Sequence, residues 1–517
     1  MSQINILWVD DEIDSLKSQI LFLENKGYRV SALTNGYDAL EFLKEQVVDV
    51  VLLDESMPGI TGLETLGKIK EIDQQIPVVM ITKNEAENVM DDAIGRQITD
   101  YLIKPVNPNQ VLLSLKKIID NKRLVAEKTT SAYQQEFRTL FMALSSNQDH
   151  QEWMDTYKKL VYWEIEMSKA NSPELLEVFN TQKAEANTEF AKFISRNYAD
   201  WVHPKSTDAP VMSHTLVRDK LIPNLDSEVP NFFILIDNLR YDQWKAIQPV
   251  FQESFRLVEE DTFYSILPTS TQYSRNAIFA GMLPVDIERQ FPVQWKNDDE
   301  EGGKNLYEEE FFAAQLKRLK VDARFSYTKV INHNDGQHLV NNIHNLLDYP
   351  LNVVVYNFVD MMSHARTEME VLKELAGDET SYRSITASWF EHSPLHQALK
   401  RLADRKINLI VATDHGSVRV KTPVKVIGDK QTTTNLRYKH GRNLNYDPKE
   451  VLAFRDPREA GLPKPNVNSS YIFAREDGYL CYPNNYNYFV NYYRNTFQHG
   501  GISLEEMIVP VARLVSK

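Results

Sequence analysis

Three short apolar runs in the C-terminal half of the chain stop at side chains that can hold a metal ion. Phe232-Phe233-Ile234-Leu235-Ile236 stops at Asp237, Val353 to Val359 stops at Asp360 with His364 close behind, and Leu409-Ile410-Val411-Ala412 leads into Asp414, His415 and Gly416. Runs of this kind read as buried parallel strands, and ligands of open α/β sheets gather where such strands exit. With Thr271 and His499 they make a set of seven chemistry-bearing residues. Taken singly, Asp237 and Asp360 read as helix N-caps, and His499 beside Gly500-Gly501 as a turn residue. In this order, three carboxylates and three histidines suffice for two ions of a borderline metal such as Zn2+ sharing one cleft. Two ions about 3.5–4 Å apart are the usual clamp for in-line displacement at phosphorus.

A second set lies in the first 120 residues. Asp10 and Asp11 follow the apolar run Ile4 to Val9, Asp54 follows Val50-Val51-Leu52-Leu53 and precedes Ser56-Met57-Pro58-Gly59, Thr82 ends Val78-Val79-Met80-Ile81, and Lys104-Pro105 ends Tyr101-Leu102-Ile103. These groups converge in one crevice if the runs are adjacent parallel strands. Three carboxylates there repel one another. A hard cation such as Mg2+ relieves the repulsion and Lys104 supplies a fixed positive charge, leaving Asp54 prepared to accept a phosphoryl group. By its motifs, residues 1–120 resemble the receiver domain of two-component response regulators. The resemblance implies that Asp54 is the phosphoacceptor, that Asp10, Asp11, Asp54 and the Ser56 carbonyl hold Mg2+, that Thr82 and Lys104 contact the phosphoryl group, and that Tyr101 is the switch aromatic.

The elements that must carry these residues follow from periodicity. Strands alternating with helical patterns predict a doubly wound α/β unit over 1–120 and a second α/β domain with a largely parallel sheet over 206–517. Asn107-Pro108 opens a helix that runs on into the next segment. Between them, residues 121–205 carry little strand signal. Trp153, Leu160 and Met167 recur every seven residues with Tyr157 and Trp163 between, and Leu175, Leu176, Phe179, Phe190, Phe193 and Ile194 continue at helical spacing, which predicts a small helical bundle with this stripe as core.

With 517 residues the chain exceeds one core, and no apolar run approaches the length of a membrane span. Met1 to Asp11 lacks the regions of a secretory signal and Cys481 is the single cysteine, so a cytoplasmic protein is expected. Net charge is −14, and residues 1–120 carry 11 basic against 20 acidic side chains. That balance disfavours duplex DNA as partner, and no DNA-reading motif is visible.

Leu267-Pro268-Thr269-Ser270-Thr271, with Gly281 beyond it, resembles the nucleophile segment of the phosphodiesterase branch of the alkaline phosphatase superfamily, with Thr269 and Ser270 as neighbouring competitors for the nucleophile. His499-Gly500-Gly501 through Pro510 is similar to the metal-binding close of that superfamily's PglZ branch. The resemblance implies Thr271 as nucleophile, one Zn2+ held by Asp237, Thr271, Asp414 and His415, and a second by Asp360, His364 and His499. Between Gly416 and His499 the match is lost. There Arg437, Lys439, His440 and Arg442 could meet an anionic substrate, and Tyr471, Tyr479, Tyr482, Tyr486 and Tyr488 could stack bases, although packing explains most such tyrosines. His333, His338 and His344 form an alternative cluster whose spacing does not present one helix face, and His392 and His396 flank a helix start.

As a whole, the chain resembles response regulators of the PorX type, associated with type IX secretion. That implies a zinc-dependent phosphodiesterase acting on nucleotides or oligonucleotides under control of Asp54 phosphorylation, a sensor histidine kinase as phosphodonor, contact with an alternative sigma factor, and homodimerisation on phosphorylation. The alternative is a signalling adaptor in which the metal domain serves as a ligand sensor.

Overall fold

The computed structural model describes residues 4–73, 76–83, 98–170, 173–203, 207–298, 300–360, 362, 377–429 and 432–517, with no side-chain detail for 119–130, 170, 173 and 174. The chain divides into two compact units, Met1–Ala132 and Tyr133–Lys517.

In the first unit, strands β1 (Asn5–Val9), β2 (Arg29–Leu33), β3 (Val50–Asp54), β4 (Val78–Thr82) and β5 (Asp100–Ile103) form a parallel sheet in the order β2-β1-β3-β4-β5. Helices α1 (Lys17–Asn25), α2 (Gly36–Glu45) and α3 (Gly62–Ile72) connect them, and α4 (Pro108–Leu144) leaves the sheet. Period-two alternation divides β1 and β3 between two cores: Leu7, Val9, Val51 and Leu53 pack on one face, and Ile6, Trp8, Val50 and Leu52 on the other. Both faces are therefore covered, as a parallel sheet requires. Helix α3 starts at a reciprocal cap in which Thr61 accepts from Glu64 N and the Glu64 carboxylate reaches back to Thr61 N.

The second unit is built on a six-stranded sheet. Strands β6 (Asn231–Ile236), β7 (Phe255–Tyr264), β8 (Phe325–Val330), β9 (Leu351–Tyr356), β10 (Asn408–Ala412) and β18 (Ile508–Ser516) lie in the order β7-β18-β10-β6-β9-β8. Only β18 runs against the rest, antiparallel to both β10 and β7. The central strands β6 and β10 are buried along their whole length and pair in register, Leu235 against Ala412, so the residues that follow them emerge side by side. Residues between β10 and β18 form small sheets: β11 (Val418–Arg419) with β17 (Phe497–Gln498), β12 (Thr422–Lys425) with β16 (Gly478–Cys481), and β15 (Ser469–Ala474) between β13 (Tyr438–Arg442) and β14 (Val451–Phe454).

Helices α5 (His150–Ala170) and α6 (Pro173–Trp201) carry the predicted aromatic stripe, and Trp153, Tyr157, Leu160, Met167, Phe179, Phe190 and Ile194 are all buried. They share one continuous core with the six-stranded sheet. The Trp201 ring meets Tyr264 of β7 edge-on at 5.2 Å between centroids, and Phe190 stacks on the same tyrosine at 6.3 Å.

A buried ionic chain reinforces that packing. Lys183 of α6 bridges Glu164 of α5 (2.8 Å) and Glu505 near the C-terminus (2.9 Å), while Arg383 joins Glu164 (2.7 Å) to Asp242 (3.1 Å), and Arg240 reaches Asp242 and Glu379. Burial alone would raise the Glu164 carboxyl, but the Lys183 and Arg383 charges outweigh it and lower it to about 2. Removing one member of such a set strands its partners. Lys183→Met is expected to destabilise residues 133–517 by about 3–5 kcal/mol, read as an earlier urea or thermal transition of that unit with the receiver transition unchanged.

Candidate functional sites

In the receiver unit, the register of β1 with β3, Val9 against Leu53, brings Asp10 and Asp54 out at one edge. Both are buried, and Lys104 from beyond β5 lies 2.8 Å from Asp10 and 3.0 Å from Asp54. Asp10, Asp11 and Asp54 each offer an oxygen within 4.8 Å of the others. Burial, countered by the hydrogen bond from Lys104 and aided by the Asp10 charge, keeps the Asp54 carboxyl above its usual range. A divalent cation supplies what this acidic cluster lacks, and Mg2+ with its preference for oxygen fits it. Thr82 is buried at the end of β4 and donates to the Glu55 carboxylate, Ser56 is exposed just past β3, and Tyr101 is half-exposed at 40% on β5.

In the second unit, Asp237, at the exit of β6, is fully buried and takes Arg275 Nη1 on Oδ2 at 2.8 Å. Its Oδ1 lies 3.4 Å from Thr271 Oγ1 and 3.7 Å from His415 Nε2. Thr271 opens α8 (Thr271–Ala280; α7 is Tyr241–Ser254), with Oγ1 3.2 Å from His415 Nε2. His415 Nδ1 faces the Gly416 carbonyl at 3.0 Å, which puts the ring hydrogen there and turns the Nε2 lone pair toward Thr271. Burial holds the His415 imidazole below its ordinary pKa, so it stays neutral.

Asp414 gives the clearest test of whether a cation fits. Its Oδ1 accepts from Asn238 N (3.2 Å) and His415 N (3.1 Å), while Oδ2 is buried with no hydrogen-bond partner among the described residues. Burial first and the Asp237 charge second push this carboxyl well above the usual carboxylate range, against the pull of Arg275. Asp237, Asp414 and His415 offer ligand atoms all within 4.8 Å of one another. Two buried carboxylates, a neutral imidazole with its lone pair inward, and an orphaned oxygen are a donor set that a divalent cation completes.

Beside it, His499 Nε2 lies 3.6 Å from Asp360 Oδ1, and His499 Nδ1 lies 3.3 Å from the Thr269 carbonyl. The His415 and His499 rings stack at 4.3 Å, so the two groups adjoin. Strand β9 stops at Tyr356, earlier than the apolar run, and Asp360 follows in a helical turn. His364 lies outside the described residues. Of the competing hydroxyls, Thr269 donates to the Gly501 carbonyl and accepts from Gly500 N, and both contacts hold it away from the carboxylates.

Sequence reasoning missed Arg275, Asn238 and Glu308. Arg275 sits one helical turn beyond Thr271, a spacing that puts both on one face, and its Nε pairs with Glu308 at 2.6 Å. Asn238 takes a left-handed φ of 61°, which asparagine tolerates, so its amide N reaches Asp414 and its side chain comes within 3.4 Å of Asp360. Gly416 is required by proximity, since a Cβ there would stand 2.0 Å from the Glu505 carbonyl oxygen.

The expected anion-binding group separates. Arg437 is corrected outright: it is fully buried, with its guanidinium fork on Glu506 (3.0 and 2.6 Å) and on backbone carbonyls, and cannot meet a substrate. Lys439 is buried over the Tyr482 ring, His440 stacks on Tyr471 at 4.3 Å, and Arg442 is exposed. Tyr471 and Tyr479 are core residues, whereas Tyr488 is exposed. Among the described residues His333, His338 and His344 form no metal-sized cluster, and Ser393 caps the helix between His392 and His396.

Family models match three consecutive segments of the chain: a response regulator receiver domain over residues 6–116, a PorX response regulator linker domain over 123–202, and a BREX system PglZ alkaline phosphatase-like domain over 216–514. The chain spans about a third of the length of the curated relatives it matches. The phosphoglycerate transport system transcriptional regulatory protein PgtA of Salmonella typhimurium is 29% identical over 30% of this chain and 36% of its own length. The transcriptional regulatory protein ZraR of Klebsiella oxytoca is 36% identical over 25% of this chain and 29% of its own. Among solved structures, a CheY-like receiver domain protein from Methanospirillum hungatei is 27% identical with a TM-score of 0.23, over 23% of this chain and 96% of that one. The response regulator DrrB from Thermotoga maritima is 28% identical with a TM-score of 0.22, over 23% of this chain and 54% of that one. No helix among the described residues is long and apolar enough to cross a membrane. With a receiver, a PorX-type linker and a PglZ domain that alone spans more than half of it, the chain belongs to the PglZ alkaline phosphatase-like family in its PorX-like response-regulator form.

Proposed function

We propose that this response regulator is a cytoplasmic, two-zinc phosphodiesterase acting on nucleotides or oligonucleotides, with Thr271 as nucleophile. The observation that carries the reading is Thr271 Oγ1 lying 3.2 Å from the neutral His415 and 3.4 Å from Asp237, beside a second buried carboxylate with an oxygen that has no partner among the described residues. Asp237, Thr271, Asp414 and His415 would hold one ion, and Asp360, His499 and His364 the other. Bound there, the ions would lower the pKa of the hydroxyl and take up charge on the departing oxygen.

This chain's residues do the rest. The Thr271 oxygen bonds to phosphorus in line as the bond to the alcohol leaving group breaks, and water then cleaves the phosphothreonine at its oxygen–phosphorus bond. Arg275 orients Asp237 from the side away from Thr271, and the Asn238 amide fixes Asp414. Phosphorylation at Asp54 by a sensor histidine kinase would act as a local electrostatic switch answered by Thr82 and Lys104, favouring a homodimer through the face bearing Tyr101. The kinship with PorX supports a role in type IX secretion and contact with an alternative sigma factor.

Three outcomes are expected. Thr271→Ala should lower zinc-dependent hydrolysis of bis-p-nitrophenyl phosphate and of linear or cyclic nucleotides by roughly a thousandfold or more. Unchanged turnover in that variant, or none by zinc-loaded wild type, would sink the enzymatic reading. Asp414→Asn should stabilise the metal-stripped protein by about 1–3 kcal/mol, because it removes one of two buried like charges, while abolishing the shift that added zinc gives the wild type. The sign of the pH effect agrees: a carboxyl whose folded pKa is raised makes the metal-free protein gain stability as pH falls through that value and lose it as pH rises. Beryllofluoride with Mg2+ should double the sedimenting mass, and Tyr101→Ala should weaken that shift; an unchanged mass counts against the switch.

A further inference from the structure

Strand β13 has two faces with different fates. Tyr438 points toward the catalytic domain, its ring 5.9 Å from that of Tyr273 and its hydroxyl 3.2 Å from Asp298. Lys439, the next residue, points the other way into a cavity of about 510 Å3. The Lys439 side chain is 1% exposed, and its amine meets only the face of Tyr482, at 4.4 Å from the centroid. Among the described residues it forms no hydrogen bond or ion pair. Asp429, the carboxylate on the cavity wall, accepts instead from Thr432 Oγ1 at 3.1 Å, and the Cys481 thiol is pushed up to about 11 by burial and so is neutral.

A buried amine without a counter-charge is costly, and chains rarely keep one unless something pairs with it. The remaining wall is mixed: Thr432, Thr434 and Asn484 bring uncharged polar groups to it, and the rest is largely apolar and aromatic. Leu436, Leu480 and Ile427 line it, with Phe489 and Tyr493, whose rings are nearly parallel at 13°. A buried amine, a few uncharged polar groups and an apolar, aromatic wall, with the Asp429 carboxylate engaged by Thr432, are the composition of a small-molecule site.

We propose that the cavity behind β13 is a binding site for a small organic anion carrying a flat apolar ring, with Lys439 as the partner of its phosphate or carboxylate. The ring lies among Leu436, Phe489 and Tyr493, and the anion replaces the solvent that Lys439 has lost. The site is separate from the chemistry at Thr271 and does not depend on turnover there.

Burial holds the Lys439 amine down to about 7, which makes it an unusually good nucleophile near neutral pH and gives a direct probe. Pyridoxal phosphate has a flat ring, a phosphate and an aldehyde. Its carbonyl carbon takes the amine nitrogen with loss of water, and added borohydride supplies hydride to the imine carbon while water supplies the proton to nitrogen, fixing the product as a secondary amine. The full chain is treated with chelator and carries Thr271→Ala, so that the catalytic site does not contribute. Labelling is mapped by peptide mass, with the exposed Lys425 and Lys449 as internal references.

Lys439 should reach half-labelling at least tenfold below the concentration needed at Lys425 and Lys449, and phenyl phosphate should protect it at least tenfold while leaving the references unchanged. Lys439→Arg should retain the fold by circular dichroism and lose the fast label. Labelling of Lys439 no faster than that of the references, or fast labelling that phenyl phosphate does not slow, would overturn the proposal, and neither outcome depends on the variant folding.

Discussion

Two carboxylates that cannot both be comfortably charged without a cation lie at the centre of the second unit. Asp237 and Asp414 leave adjacent parallel strands in register and are buried completely, and among the described residues Arg275, paired with Asp237, offsets their charge. At low dielectric such repulsion is several times what it is in water. The fold holds the arrangement with groups that leave it little room to relax: the Asn238 amide on Asp414, Gly416 under the Glu505 carbonyl, and Glu308 behind Arg275. The receiver site is a milder version of the same problem, in which Lys104 contacts both Asp10 and Asp54.

How firmly the strand exits are held depends on what lies behind them. Arg240, three residues beyond Asp237, belongs to the ionic chain that runs through Asp242 and Arg383 to Glu164, and Lys183 joins Glu164 to Glu505. Glu505 in turn stands over Gly416 and accepts from Asn187 at 3.2 Å. The helical segment therefore reaches both loops that carry the metal-capable residues, through charges held apart from solvent, where they are screened little by salt.

Much of this was legible because the chemistry sits where apolar runs stop. A buried parallel strand shows itself as a run of Val, Ile, Leu and Phe, so Asp237, Asp414 and Asp54 stood out against their own strands. Partners that come from elsewhere in space carry no such mark. Glu308 opens a helix with ordinary periodicity, and Asn238 matters through a backbone conformation that its letter only permits. Arg437 departs from its expected role for a related reason: the cluster Arg437, Lys439, His440 and Arg442 suggests an anion site, and nothing local reveals that Glu506, 69 positions away, already fills the Arg437 fork. Strand β18 was visible only as a motif, because its antiparallel place between β10 and β7 is set by the sheet and not by its own sequence.

The joint core of α5, α6 and the six-stranded sheet also bears on how the molecule can be divided. A fragment begun near residue 207 would expose Tyr264 where Trp201 and Phe190 had covered it, and would leave Arg383 and Glu505 without Glu164 and Lys183. Such a surface is both sticky and unevenly charged, and it invites self-association before any catalysis can be assayed. The smallest piece that keeps its own interior intact starts near Tyr133, so the helical segment is part of the interior of the metal domain and not a neutral spacer.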